Sequence, residues 1–321
     1  KAKDPKKTLL RLLGYMKHYI PNLLAVLVCI VITAIASTRG SENIGNLVDE
    51  FILPMVASGS TDFAPLAKYL VGIGAIFAAG MIAAFLQQYL MVSVTQGTQK
   101  TIRDEMFTKM QRLPLRYFDS NTAGNIMSRY TSDIDTLRQM ISQSIPQGVS
   151  SIVTLVVVFI AMITTSWILT LVTLVTVVGI TFVTITVVGK AGKFFVGQQK
   201  SLGAVNGYVE EMISGQKTLK AYNQEDNTLD ELDDINGQAV EAYYQSEYHT
   251  AMMGPSVNFI HNLSMTLVSV FGTILHMRGR MSVGDIGAFV LYSRKFSGPI
   301  REIADIFNEL QSAVAAAERV F

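Results

Sequence analysis

Asn258, His261, Asn262 and Met265 stand at i, i+3, i+4 and i+7, which puts two amides, an imidazole and a thioether on one face of a helix. Two kinds of chemistry suit such a face. Its polar groups can hydrogen-bond a bound molecule while the thioether adapts to its shape, or they can bond a neighbouring helix and hold a bundle together. Both readings stand at this point. A proton-carrying role for His261 would need an acid beside it in the apolar run, and none is evident. Phe289, Tyr292 and Phe296 form a second stripe at helical spacing, read either as core packing or as ligand contact. Arg39, Glu42, Asp49 and Glu50 could line a vestibule or simply be solvated. Cys29 is the only cysteine, so there is no internal disulfide and no cysteine cluster, and the four histidines lack ligand spacing. No metal site is expected, and Cys29 is read as a packing residue.

The elements that carry these residues follow from composition. Half of the 321 residues are hydrophobic and 16% are charged, too apolar for a soluble domain of this length. The net charge of +1 comes with no basic stripe of interleaved aromatics, which sets nucleic-acid binding aside. A bilayer core of about 30 Å needs roughly 20 apolar residues per helix. Six segments meet this. They run from about Ile20 to Ala36 with a polar continuation to Leu53, Pro65 to Val94, Val149 to Thr164, Trp167 to Gly189, Met252 to Met277, and Val283 into the Ala-rich tail. The sixth is the weakest, diluted by Gly, Ser and Arg. Pro54 to Ala64 is expected to be a short loop, and Trp167 an interfacial anchor in a tight hairpin. Residues 1–18 are basic and amphipathic and are read as an interfacial elbow helix.

Lysine and arginine set the expected orientation. Lys1, Lys3, Lys6, Lys7, Arg11 and Lys17 lie before the first span, and Lys100, Arg103, Lys109, Arg112, Arg116, Arg129 and Arg138 follow the second. The connections at Pro54 to Ala64 and Thr164 to Ser166 have none, so both termini and both long connections are expected on the cytoplasmic side. Arg278 and Arg280 run against the rule but are outnumbered. The connections, about 97–148 and 190–250, are themselves patterned. Ile102, Met106, Met110 and Leu113, then Tyr130, Ile134, Leu137, Ile141 and Ile145, recur at helical spacing; so do Phe195, Leu202, Val209 and Ile213. These are helical arms that continue the spans. At the first tip Pro114 stops the stripe, and Arg116 to Asn125 suits a short helix set across the two arms. At the second, Gly215 breaks the pattern, Gln216 to Tyr222 can make two turns, and Thr228 with Glu231 reads as a capping box restarting the return helix.

RYFDSNTAGNIMSRYTSDIDTL (Arg116 to Leu137), GQQKSLGAVNGYVEEMISGQKTLKAYNQED (Gly197 to Asp226) and LYSRKFSGPIREIADIFNELQSAVAAAERVF (Leu291 to Phe321) resemble the intracellular loops and sixth span of ATP-binding cassette (ABC) exporters. The likeness covers essentially the whole chain and is nearest to one half of the multidrug-type, heterodimeric bacterial exporters. It implies an all-α membrane fold of the type I exporter (type IV) class, with six long transmembrane helices and cytoplasmic extensions. It implies that Tyr117, Phe118, Asp119, Ser120, Asn121, Thr122 and Gly124 form one coupling helix. Ser214, Gly215, Gln216, Lys217, Thr218, Leu219, Lys220, Ala221 and Tyr222 form the other. It further implies a second transmembrane half, as homodimer or heterodimer, and nucleotide-binding domains that hold ATP and Mg. The partners are thus these domains, the second half and the lipid bilayer, in a bacterial cell membrane. Relatives often carry a proline ahead of the Gly-x-x-x-Asp segment and another in the fourth span; here Ser41 precedes Gly45 and Asp49, and Gly179 could bend the fourth span instead.

No G-x-x-x-x-G-K-[S/T] occurs, and the sequence stops at AAAERVF, where the family continues into the nucleotide-binding domain. A piece of a longer protein, or a half-transporter, is therefore expected, with no catalytic residue and no cofactor of its own. The expected function is ATP-driven outward transport of a drug, lipid or peptide by alternating access. An ATP-independent secondary transporter or channel is the alternative.

Overall fold

The structure is a computed structural model describing residues 5–59 and 62–320, and every regular element among them is helical. Lys1 and Lys3, counted toward orientation, and part of the expected loop after Pro54 lie outside the described residues. Helix α1 (Pro5–Met16) passes through a tight turn at Lys17–Tyr19 into α2 (Ile20–Asn46), whose Pro21 sits in the first turn, where no N–H is needed. A wide π turn at Leu47–Ile52 leads into α3 (Leu53–Ser58). The expected loop at Pro54 is thus corrected, since the chain stays helical to Ser58. A proline is tolerated in a first turn after the ladder has been widened, and Gly59, at φ 64°, then closes the helix.

Next come α4 (Ala64–Gln111), α5 (Leu115–Ser120), α6 (Ala123–Ser128), α7 (Ile134–Gln139) and α8 (Ile145–Thr165), with π turns at Arg129–Asp133 and Met140–Ser144 flanking α7. Only Ser166 separates α8 from α9 (Trp167–Ser214), the tight hairpin the sequence predicts, and Trp167 is exposed there. Gly179 does not break α9. The chain continues through α10 (Gln216–Ala221), α11 (Glu225–Ala251), α12 (Met253–Met277) and α13 (Val283–Val320). At 1.5 Å per residue the 48 residues of α4 reach about 72 Å, more than twice a roughly 30 Å bilayer core. Span and arm are therefore one unbroken rod in α4, and likewise in the 48-residue α9.

Among the described residues five helical stretches, Leu10–Ser58, Ala64–Gln111, Ala123–Thr165, Trp167–Ser214 and Glu225–Met277, are long and apolar enough to cross a membrane. The sixth, α13, has the length but carries Arg294, Lys295 and Glu302 in its run. Apolar side chains remain uncovered along the spans, Phe85 at 71% and Phe182 at 72%, which is the surface a bilayer solvates.

The chain divides into two units. In the unit made of Lys1–Thr170 and Val268–Phe321, α2 packs along α4, and α13 packs against α8 and α2. Its core joins Leu12 and Met16 of α1 to Val26, Ile30, Met91, Val94, Ile102, Ile134, Leu137, Met140, Ile141, Ala313 and Ala317. This core lies where the arms leave the spans, so α1 braces their base. The Tyr15 hydroxyl donates to Glu105 of α4 at 2.5 Å; burial, and then that contact, push its pKa up. The second unit, Leu171–Leu267, holds the second pair of arms. There Phe194 stacks on His249 at 4.0 Å, and the Tyr208 hydroxyl donates to the Thr228 carbonyl at 3.1 Å.

Candidate functional site: arm tips and span faces

At the first tip, Pro114 is extended and cannot continue α4, so the chain turns into the two-turn α5. The Asn121 side chain donates to the Tyr117 carbonyl at 2.9 Å, closing the end of α5, and the Thr122 hydroxyl accepts from the Asn125 N–H to start α6. The Arg129 guanidinium donates to the Tyr117 hydroxyl at 2.8 Å and fixes that ring. Phe118, Asp119, Ser120, Thr122 and Gly124 remain exposed, while Tyr117 and Asn121 are half-buried. Phe118 thus projects from a short element whose neighbour is anchored.

The second tip has a comparable build. Gly215 ends the long rod, α10 makes its two turns, and Asn223 at φ 50° reverses the chain into α11. Ser214, Gln216, Lys217, Thr218, Lys220, Ala221 and Tyr222 are exposed, and Gly215 and Leu219 are half-buried. The expected capping box is corrected. Thr228 lies inside α11, where its hydroxyl donates back to the Gln224 carbonyl at 2.8 Å, and Glu231 accepts from Tyr208 across the arms. The helix starts earlier because Glu225 and Asp226 already supply the negative charge its N-terminus favours.

On α12, Asn258 and Asn262 are exposed in the single chain, while His261 and Met265 are half-buried. An interhelical bond is made at the flank of this face: Ser264, one turn from His261 and turned away from Asn258 and Asn262, meets Thr176 of α9 at 2.8 Å with both residues buried. Thr176→Val is expected to cost about 0.5–1.5 kcal/mol by stranding that hydroxyl. Detergent unfolding of Thr176→Val, compared with Ser264→Ala and the double variant, reads this loss. Phe289, Tyr292 and Phe296 are buried in the single chain, and Phe296 stacks on Phe159 at 6.0 Å, so the geometry of this stripe is that of packing. Arg39 pairs with Glu42 at 2.8 Å on the exposed face of α2.

Several polar ties of α13 have no signature in the sequence reading. Gly284 N–H donates to Asp49 at 2.8 Å, and Lys295 Nζ donates to the Ser37 carbonyl and hydroxyl at 2.5 and 2.8 Å. Glu302 accepts from Ser151 and Gln147, Glu309 from Ser144, and Asp133 holds Arg319 through both carboxylate oxygens at 2.9 and 2.5 Å. That last hydrogen bond pushes the Arg319 pKa up, so the guanidinium stays charged. Lysine, arginine and glutamate inside the weakest span were the available signal.

Residues 17–300 match the family described as the ABC transporter transmembrane region. The chain is 34% identical over 321 residues, all of its length and 52% of the relative's, to the uncharacterized ABC transporter ATP-binding protein YfiC of Bacillus subtilis (strain 168). It is 32% identical over 288 residues, 90% of its length and 45% of the relative's, to a fatty acid ABC transporter ATP-binding/permease protein of Mycobacterium bovis. Identity is 27% over 318 residues, 97% of its length and 52% of the relative's, to an ATP-dependent lipid A-core flippase of Dechloromonas aromatica. The chain spans about half the length of these relatives. With long helical rods, paired arms and short helices at their tips, the chain belongs to the ABC transporter transmembrane region family.

Proposed function

We propose that this chain is the membrane domain of an ATP-driven exporter, working with a second transmembrane half and with nucleotide-binding domains that hold ATP and Mg. Both termini and both arm tips face the cytoplasm, α1 lies as an elbow at the inner membrane surface, and residues 19–321 form the six-helix domain. The observation that carries the reading is the pair of two-turn helices, α5 and α10, each presenting exposed side chains at the end of rigid arms. A short helix seated in a groove of a moving domain transmits displacement along a rod, because packed helices shift as rigid bodies. Residues 117–122 with Gly124, and residues 214–222, are the coupling surfaces in this reading.

The cargo is amphipathic, in keeping with relatives named for fatty acids and lipid A-core. Asn258 and Asn262, on the face of α12 away from the Thr176–Ser264 bond, are offered to it, with His261 and Met265 at its edge. Cargo must bind the inward and outward states with different affinity, since equal binding biases neither.

Phe118→Ala and Tyr222→Ala test the coupling role in the full-length transporter. Each removes an exposed aromatic of the kind worth roughly 1–3 kcal/mol in a docked interface, so cargo transport is expected to fall about tenfold further than ATP hydrolysis. Wild-type transport and wild-type cargo-stimulated hydrolysis in both variants would overturn the assignment.

A further inference from the structure

We propose that Arg294 and Lys295 form a cationic site, within the membrane-spanning part of α13, for the carboxylate or phosphate headgroup of an anionic amphiphile. This rests on the exporter reading and narrows its cargo class. The depth of the pair follows from its neighbours. Ser37, which Lys295 contacts, lies about 25 Å along α2 from Ile20, and Phe159, which stacks on Phe296, lies about 9 Å from Thr165 at the end of α8. Both measures put the pair inside a roughly 30 Å hydrocarbon core, in the half away from the arms.

Charges at that depth are costly and are kept where they have work to do. Lys295 does not extend along its helix toward the interface as a snorkelling lysine would. Its ammonium turns sideways onto α2, where a carbonyl and a hydroxyl solvate it without neutralising it. Among the described residues no carboxylate pairs with either cation: Glu42 is taken by Arg39, and Glu302 by Ser151 and Gln147. Arg294 is exposed, with Gly287 and Gly298 two turns before and one turn after it on the same helix face. A Cβ at either glycine would meet nothing within 4 Å, so the space around the guanidinium is open. A planar fork in open space, with a second cation on the adjoining residue turned toward α2, is matched to a two-oxygen anion lying over the α2–α13 edge.

The test uses the full-length transporter with its second half in phosphatidylcholine nanodiscs. Oleate and phosphatidylglycerol are titrated separately, with rhodamine 6G as a cationic control. Arg294→Gln and Lys295→Met are each expected to weaken binding of the anionic probe about tenfold, the scale of one charge-assisted hydrogen bond, leaving rhodamine 6G binding unaltered. Lys295→Arg should retain the anionic probe. An effect on oleate alone assigns a carboxylate, on phosphatidylglycerol alone a phosphate, and on both a general anion site. Wild type that binds neither anion, variants that bind them as wild type does, or equal weakening of rhodamine 6G would each overturn the proposal. ATP-dependent movement of the three probes by wild type is scored separately: absence of movement for all three fails the exporter reading, while movement that does not depend on Arg294 and Lys295 fails only this site.

Discussion

Arg319→Ala is expected to destabilise the transmembrane domain by about 1–3 kcal/mol and to depress transport in the full-length protein. The asymmetry of the pair sets that range. The Asp133 side chain is 7% exposed and the Arg319 side chain 56%. Removing the arginine strands a carboxylate whose two oxygens were both bonded, whereas the exposed arginine has water to fall back on. Asp133→Asn, which keeps the shape and one acceptor, should cost less than Arg319→Ala. A thermal unfolding series with both single variants and the double variant reads the coupling directly. If the single losses simply add, the two residues are independent and the bond between them carries no stability. The functional consequence follows from position, because Asp133 lies between the first tip and α8 while Arg319 lies at the far end of α13. Their bond ties the return arm of the first connection to the last turn of α13.

That bond belongs to a wider pattern. Each of the three π turns among the described residues supplies a partner to α13: Asp49 from Leu47–Ile52, Asp133 from Arg129–Asp133 and Ser144 from Met140–Ser144. A π turn rotates the following face of a helix out of its regular register, and so re-aims a side chain toward a neighbour it would otherwise miss. Lipid provides no hydrophobic drive between spans, so hydrogen bonds and close packing have to hold α13 in place. Its weak apolar character and its many polar ties are then the same fact.

This explains what the sequence could and could not disclose. Spans, arms and tips were legible because runs of apolar residues and 3.6-residue stripes are local signals, and Pro114 and Gly215 interrupt them where the structure turns. The Thr228 capping box failed because an equally local competitor, Glu225 with Asp226, opens the helix four residues sooner. The helical course through Pro54 was hidden because a π turn leaves no compositional trace. The Asp133–Arg319, Asp49–Gly284 and Ser37–Lys295 contacts join residues more than 180 positions apart, and no periodicity encodes such pairs. For the α12 face the sequence left binding and glue open; the Thr176–Ser264 bond puts glue on the flank next to His261, turned away from Asn258 and Asn262.

Gly284→Ala should be the most disruptive small substitution in the domain. A Cβ there would strike the Gly45 carbonyl and the Asp49 carboxylate, and a Cβ at Gly45 would come within 2.5 Å of the Gly284 carbonyl oxygen. These obstacles are largely backbone, so no side chain can rotate away and the two helices must part. Parting them also breaks the bond from Gly284 N–H to Asp49, at the first turn of α13, where a carboxylate is favoured by the helix dipole. Overpacking of about 1–3 kcal/mol and a lost charge-assisted bond of about 1.5–3 kcal/mol act together, for a destabilisation of roughly 3–5 kcal/mol. Asp49→Asn separates the two contributions, because it weakens the bond without touching the steric contact, and should cost less than half as much. Thermal unfolding of Gly284→Ala, Gly45→Ala and Asp49→Asn in detergent gives the ranking. A Gly284→Ala midpoint equal to wild type would mean that α2 and α13 do not meet through these glycines. In transport, the same variant should favour whichever state separates α2 from α13 at this end. Disulfide trapping between cysteines placed at Ser41 and Ala288, neighbours of the contact, would report that separation as a slower cross-linking rate in Gly284→Ala than in wild type.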